Sequence, residues 1–313
     1  MTMKRCLVTG GAGFIGSSIV KKLLEKGYEL TIVDNLSNSN GKLIEDLPVE
    51  FIKKDISDPK IIETFKNYDF KYIFNFGSPS TDRFFNLDGS GVCETIKGFF
   101  NVIQIADNTG AESIVYPSSG TVYGNLPPPQ SESMKLKPKS MYACTKAFLE
   151  NFADTIKDEN KKILGLRIFT GYGEGELSKA EYSRSVVTLF YLSISNNISP
   201  IVYGNGEQKR DFVYVEDIAN IAIMGAEKKL SGVINVGSGN STSFNELINI
   251  LNLKLEKDIK PKYIPSPILH IDETKADISL LLKLLEYYPL KIDKGIDKYL
   301  IGINKMKKLF PEF

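Results

Sequence analysis

Apolar residues along the chain fall into two alternating textures. Short unbroken runs, beginning with Cys6-Leu7-Val8, lack polar alternation and predict strands buried on both faces. Between them, apolar residues return every three or four positions, as on one face of a helix. Ile15, Ile19, Val20, Leu23 and Leu24 do so over 14–24, and Val92, Ile96, Phe99, Phe100, Ile103 and Ile105 over 91–108. Further strands are predicted at 29–33, 49–52, 72–76, 113–116 and 163–169, with a helix over 141–158. Asp58 and Pro59 read as the N-cap and first position of another helix, and Pro117-Ser-Ser-Gly120 reads as the end of a strand. This repeated alternation predicts an α/β fold built on a doubly wound parallel sheet. Such sheets bind ligands beyond the C-terminal ends of their strands. Asp34, Asp55, Gly77 and Ser119 fall just past those ends and are expected to line one crevice.

After residue 170 the texture changes to an irregular polar stretch. A helix over 184–195, strands at 201–203, 212–215 and 233–236, and a helix over 218–226 follow. Ser243-Phe-Asn-Glu246 has the form of a capping box. The last part carries one strand-like piece after Pro261 and helices near 278–287 and 295–308. The expected organisation is a larger domain over 1–170, with returning segments near 212–240, and a smaller, interleaved lobe over 171–313.

The first strand runs straight into Gly10, Gly11, Gly13 and Gly16, and a helix begins at once. Strand, glycine turn and helix together aim backbone N–H groups at a phosphate. Gly11-Ala-Gly13-Phe-Ile-Gly16 fits G-x-G-x-x-G, and the second strand ends at Asp34, eighteen positions after Gly16. A carboxylate there accepts hydrogen bonds from an adenosine ribose 2′-OH and repels a 2′-phosphate, so dinucleotide binding with NAD rather than NADP is predicted. The segment 1–170 is accordingly the expected NAD-binding domain.

Composition narrows the remaining classes. With 39 Lys and Arg against 38 Asp and Glu, the net charge is +1, which leaves no global attraction to nucleic acid or a membrane surface. The three cysteines, Cys6, Cys93 and Cys144, lie far apart, and the single histidine, His270, cannot anchor a zinc cluster; no metal is expected. No signal peptide or long apolar segment is recognisable, so a cytoplasmic protein is expected.

Tyr142-Ala-Cys-Thr-Lys146 puts a phenol and an ammonium on one helix face. An ammonium beside a phenol stabilises the phenolate and makes it usable as a base near neutral pH. The chain has 15 tyrosines, and Tyr287-Tyr-Pro-Leu-Lys291 has the same spacing, but Pro289 breaks the helical geometry there. Ser119, about twenty residues before Tyr142 and at a strand end, is placed to hold a substrate hydroxyl that Tyr142 deprotonates.

In order and spacing, TGGAGFIG with Asp34, SSGTVYG (118–124), YACTK, LRIF (166–169), RDFVYVEDIA (210–219) and NVGSG (235–239) resemble the extended short-chain dehydrogenase/reductase family. The likeness is to its nucleotide-sugar epimerase and dehydratase branch and covers nearly the whole chain. It implies a Rossmann-type sheet, NAD as cofactor, and a nucleotide-diphosphate sugar as substrate. It implies catalytic roles for Ser119, Tyr142 and Lys146. Cofactor contacts are implied for Gly10, Gly13, Phe14, Ile15, Gly16, Asp34, Asn35, Ser37, Asp55, Ile56, Gly77 and Ser78, together with Tyr142 and Lys146. Arg210 matches an arginine that binds the nucleotide diphosphate, and a planar guanidinium suits that role; the competing expectation is an ion pair with Asp211. Ser80, Ser119, Thr170 and Tyr203 complete the implied substrate set. Helices 91–108 and 141–158 correspond to a pair that forms a four-helix bundle between two copies, so a homodimer is expected.

The same resemblance separates reaction types. Dehydratases of the branch carry an Asp-Glu pair where this chain has Gly120 and Thr121, and neither can supply the added acid and base. UDP-glucuronate decarboxylases usually keep a Glu at the position of Thr121, although Gly77-Ser-Pro-Ser80 resembles theirs. The 3,5-epimerising enzymes that make GDP-fucose need a Cys–His pair that is absent here. Ser, Tyr and Lys alone suffice for reversible hydride transfer at one carbon, which predicts a UDP-sugar 4-epimerase working through a transient 4-keto sugar. A decarboxylase-like enzyme, a sugar-nucleotide reductase, a heptose 6-epimerase and a non-catalytic NAD-binding protein are the alternatives. Thr170 and Thr95 each replace a common Asn, and a second phosphate-binding Arg expected near 266–270 is missing, for which Lys179 is the candidate substitute.

Overall fold

Cys6, Leu7 and Val8 are all wholly buried, as their unbroken apolar run requires. They lie in β1 (Arg5–Thr9), and the computed structural model describes residues 4–79, 85, 89–156, 161–265 and 271–310. Onward the chain runs α1 (Phe14–Glu25), β2 (Glu29–Val33), β3 (Glu50–Ile52), α2 (Ile61–Thr64), β4 (Tyr72–Asn75), α3 (Ser90–Thr109), β5 (Ser113–Ser119) and α4 (Met141–Ile156). There follow β6 (Lys162–Ile168), β7 (Thr170–Tyr172), α5 (Val186–Ser195), β8 (Ile201–Tyr203), β9 (Lys209–Arg210), β10 (Phe212–Tyr214) and α6 (Val215–Glu227). The last elements are β11 (Gly232–Val236), β12 (Thr242–Ser243), α7 (Phe244–Leu255), β13 (Lys262–Ile264), α8 (Ser279–Leu285) and α9 (Ile292–Leu309).

Seven strands form one sheet in the order β11-β6-β5-β4-β1-β2-β3, and every neighbouring pair is parallel. The strand order reverses direction about β1 and β4, which opens a crevice at their C-terminal ends. One apolar cluster joins the sheet to α1, α6 and α8 through Ile19, Ile218 and Leu281, and a second joins it to α3 and α4 through Phe99 and Leu149. A third cluster, with Tyr172, Phe190, Val202, Phe212, Leu247 and Tyr299, gathers β7, α5, β8, β10, α7 and α9. Among the described residues, no helix is long and apolar enough to cross a membrane.

Three expectations are corrected. The fifth strand does not stop at Tyr116 but continues through Pro117, Ser118 and Ser119, pairing with β6 throughout. Its pairing with β4 ends at Val115, so Pro117 sits where the strand has one neighbour and a missing N–H is tolerated. Asp58 and Pro59 do not start a helix. Asp58 accepts from the Lys60 N–H in a local turn, and α2 begins only at Ile61. Within 212–240, β11 enters the central sheet, α6 packs on it through Ile218, and β10 pairs with β7 in a separate two-stranded ladder. The helix expected over 184–195 begins at Val186, because Arg184 and Ser185 hold an extended backbone (ψ 149° and 158°), and the Arg184 guanidinium donates to the carbonyls of Glu176 and Leu177. The Ser243–Glu246 capping box forms with both of its hydrogen bonds.

Candidate active site

The glycine turn is shaped by contacts that leave no room for side chains. Gly10 has φ +65°, and a Cβ on it would lie 2.4 Å from the Phe76 carbonyl oxygen. A Cβ on Gly16 would lie 2.1 Å from the Gly10 carbonyl oxygen, so turn, helix and the end of β4 meet backbone to backbone. Gly13 is the N-cap of α1, and no described side chain caps that helix. Its first N–H groups therefore face the crevice, a setting that suits a pyrophosphate.

Asp34 directly follows β2, with both carboxylate oxygens engaged: Oδ2 accepts from the Ala12 N–H at 3.1 Å and Oδ1 from the Leu36 N–H at 2.8 Å. Burial raises its pKa, and these two amides work against that rise. Asn35 donates to Asp55 Oδ2 at 2.9 Å and accepts from the Ser37 N–H, tying the loop after β2 to the loop after β3. The Gly77 N–H donates to Thr9 Oγ1 at 3.0 Å, which fixes the turn after β4 against β1.

Tyr142 and Lys146 stand one turn apart on α4, with Lys146 Nζ 5.5 Å from the Tyr142 ring centroid. The Lys146 ammonium donates to Ser78 Oγ at 3.2 Å and is only 2% exposed. Burial pushes its pKa down to about 8. One more turn along the same face, Glu150 meets Arg167 of β6 in a buried two-point pair, Nε to Oε1 at 3.0 Å and Nη2 to Oε2 at 2.8 Å. Ser118 also donates to Glu150. Because alternate strand residues face opposite ways, Ser118 points into this network while Ser119 points into the crevice. No sequence motif assigned a role to Glu150 or Arg167. The available sign was that Tyr142, Lys146 and Glu150 recur at four-residue intervals on one helix.

A cleft of about 860 Å³ opens over these groups. It is lined by every residue expected to bind cofactor, namely Gly10, Gly13, Phe14, Ile15, Gly16, Asp34, Asn35, Ser37, Asp55, Ile56, Gly77 and Ser78, and by Ser119, Tyr142 and Lys146. Lys179, Ala180, Tyr182 and Ser183 also line it, and Lys179 Nζ lies 5.1 Å from the Phe14 ring centroid. Thr170, Tyr203 and Arg210 do not line it, and Ser80 lies outside the described residues. Arg210 is on β9, donating from Nη1 to the carbonyls of Lys209 and Ile271, both at 2.8 Å, with its guanidinium 5.8 Å from the Phe244 ring centroid. Burial lowers its pKa, opposed by Asp272. The expected competitor, Asp211, instead accepts from Ser238 N–H and O–H, Gly239 N–H and Ala276 N–H. The spare Tyr–Lys spelling is inert: α8 ends at Leu285, and the Tyr287 hydroxyl donates to Asp217 at 2.6 Å.

The chain is also similar to known proteins over most of its length. Residues 6–237 match the NAD dependent epimerase/dehydratase family. A putative UDP-glucose 4-epimerase of Methanocaldococcus jannaschii is 35% identical over 254 residues, 78% of this chain and 80% of that protein. The UDP-N-acetylglucosamine 4-epimerase of Methanobrevibacter ruminantium M1, solved with UDP-N-acetylmuramic acid, superposes with TM-score 0.89 at 30% identity over 98% of this chain and 100% of that one. The ADP-L-glycero-D-manno-heptose-6-epimerase of Helicobacter pylori does so with TM-score 0.87 at 28% identity, covering 96% of each chain.

Proposed function

We propose that this chain, which belongs to the NAD-dependent epimerase/dehydratase family, is a nucleotide-sugar epimerase acting at C4 of a UDP-linked sugar. The observation that carries the reading is the convergence of Ser119, Tyr142 and Lys146 on the cleft that the glycine turn opens. The residues present fit the family's NAD: uncapped α1 amides for its phosphates, and Asp34 for a ribose. When bound, NAD supplies a reversible acceptor for the hydride at the sugar carbon. Tyr142, as phenolate, takes the proton of the C4 hydroxyl. Lys146, with a pKa of about 8, is still mostly protonated at pH 7 and stabilises that phenolate. Ser119 donates to the sugar oxygen and polarises the carbonyl that forms.

Gly120 and Thr121 bring no second acid or base, so elimination and decarboxylation lack a proton carrier. Arg210 and Thr170 are assigned to the diphosphate of the substrate, with Lys179 beside them, Tyr203 to its base, and Ser80 to the substrate. In this assignment 1–170 with 212–240 holds the cofactor and 171–313 the nucleotide sugar. A homodimer is part of the same proposal: Phe100 and Phe148 are 37% and 44% exposed on α3 and α4, with Phe152 between them at ring distances of 4.5 and 6.2 Å.

The test incubates the purified protein with UDP-, GDP-, dTDP- and ADP-sugars and reads product stereochemistry at each carbon by NMR. Inversion at C4 of a UDP-sugar is expected. Tyr142→Phe should lose at least about 100-fold in turnover while retaining bound NAD. Stoichiometric redox change of the cofactor without an epimerised product would replace this reading with a reductase.

A further inference from the structure

Ser119 has a neighbour that decides which way its proton points. Its Oγ accepts from the Thr121 N–H at 3.2 Å and from the Thr121 hydroxyl at 2.9 Å. A serine hydroxyl has two lone pairs and one proton. Both lone pairs are taken by a single residue two positions on, and the proton is what remains to offer the cleft.

The local backbone enforces the arrangement. Ser119 ends β5 in an extended conformation (φ −149°, ψ 145°) and caps the 3₁₀ turn Gly120–Tyr123. Val122 and Tyr123 anchor that turn in the interior, and a Cβ on Gly120 would lie 3.3 Å from the Phe169 ring. The turn is thus pressed down, and the Thr121 side chain folds back over Ser119 while still lining the cleft beside Tyr142 and Lys146.

We infer that Thr121 is a positioning residue that commits Ser119 to donate, leaving Tyr142 as the acceptor for the substrate carbinol proton. The inference rests on the epimerase reading above. A sugar alcohol has a proton to give, and a hydroxyl with an open lone pair would compete for it with the phenolate in the resting complex, although the anion is the stronger acceptor. That bond would stabilise the alcohol and vanish in the ketone, so it would bind ground state in preference to transition state. With its lone pairs filled, Ser119 donates to the sugar oxygen in both oxidation levels. The residue that stands where decarboxylases keep a glutamate thereby directs a proton without carrying one.

Thr121→Val keeps shape and N–H but removes the hydroxyl donor, and Thr121→Ser keeps the donor. Thr121→Val is expected to lower kcat about five- to tenfold with KM unchanged or lower, as for one lost hydrogen bond. NAD content and urea midpoint should stay at wild-type values, and Thr121→Ser should stay within about twofold of wild-type kcat. Should Thr121→Val not fold, Thr121→Ala makes the same comparison without added bulk. The inference is overturned if the hydroxyl-free variants keep kcat within twofold, if KM rises in step with the loss, or if Thr121→Ser falls as far as they do. Wild-type protein that epimerises no sugar nucleotide overturns the functional reading and this inference with it. Active wild type with an indifferent Thr121→Val overturns the inference alone.

Discussion

Replacing Lys146 by Met removes a charge from a side chain that is only 2% exposed. Burial pushes the Lys146 ammonium from 10.5 down to about 8. Below pH 8 the lysine is protonated in both the folded and unfolded chain, and the full penalty of burying its charge is present. Between pH 8 and 10.5 the folded chain has released the proton and the unfolded chain has not, so stability rises with pH; above 10.5 the penalty is gone. At 1.36 kcal/mol per pH unit, the drop corresponds to about 3 kcal/mol. Met forgoes the 3.2 Å hydrogen bond to Ser78, worth about 1 kcal/mol. Lys146→Met should therefore gain about 2 kcal/mol at pH 7 while losing turnover, a stability–activity trade-off of the kind active sites carry. Urea unfolding of both proteins, cleared of cofactor because a bound ligand adds its own stabilisation, gives the difference at pH 7 and again at pH 10. The gap should narrow as pH rises through 8 to 10.5. A variant less stable at pH 7, or a gap indifferent to pH, would refute the reasoning.

Glu150→Ala strands Arg167 in the interior and should cost about 3–5 kcal/mol by urea unfolding, whereas the double change Glu150→Leu with Arg167→Met should cost far less; equal losses would show that the pair is not what matters. Gly16→Ala puts a methyl 2.1 Å from a backbone oxygen and should abolish NAD binding in calorimetric titration, while Gly13→Ala, whose nearest contact is 3.2 Å, should fold and bind more weakly. Wild-type affinity in Gly16→Ala would contradict this account of the turn. Phe148→Asp should shift the particle mass by light scattering from two copies to one at micromolar concentration, and a monomeric wild type would remove the dimer altogether.

Much of the first domain was legible because its determinants are neighbours in the chain. The end of β2 just before Asp34, the glycine turn into α1, the one-turn spacing of Tyr142 and Lys146, and the Ser243–Glu246 cap each depend on a handful of consecutive residues. Pro117 misled because the rule that proline ends a strand assumes two neighbours, and whether β4 reaches that far depends on a segment some forty residues upstream. Arg210 and Asp211 are adjacent in sequence yet do not pair, since the donors that capture Asp211 come from Ser238, Gly239 and Ala276. Glu150 and Arg167 sit seventeen positions apart in a helix and a strand, and nothing local says that they touch. By itself, then, the chain determined the strand–helix rhythm, the glycine turn and the one-turn spacing of Tyr142 and Lys146. Only tertiary structure decided which short strands pair and which charges are buried together. Periodicity and turn chemistry act through contiguous backbone, whereas those later choices are made by contacts between segments that meet only when the sheet closes over its helices.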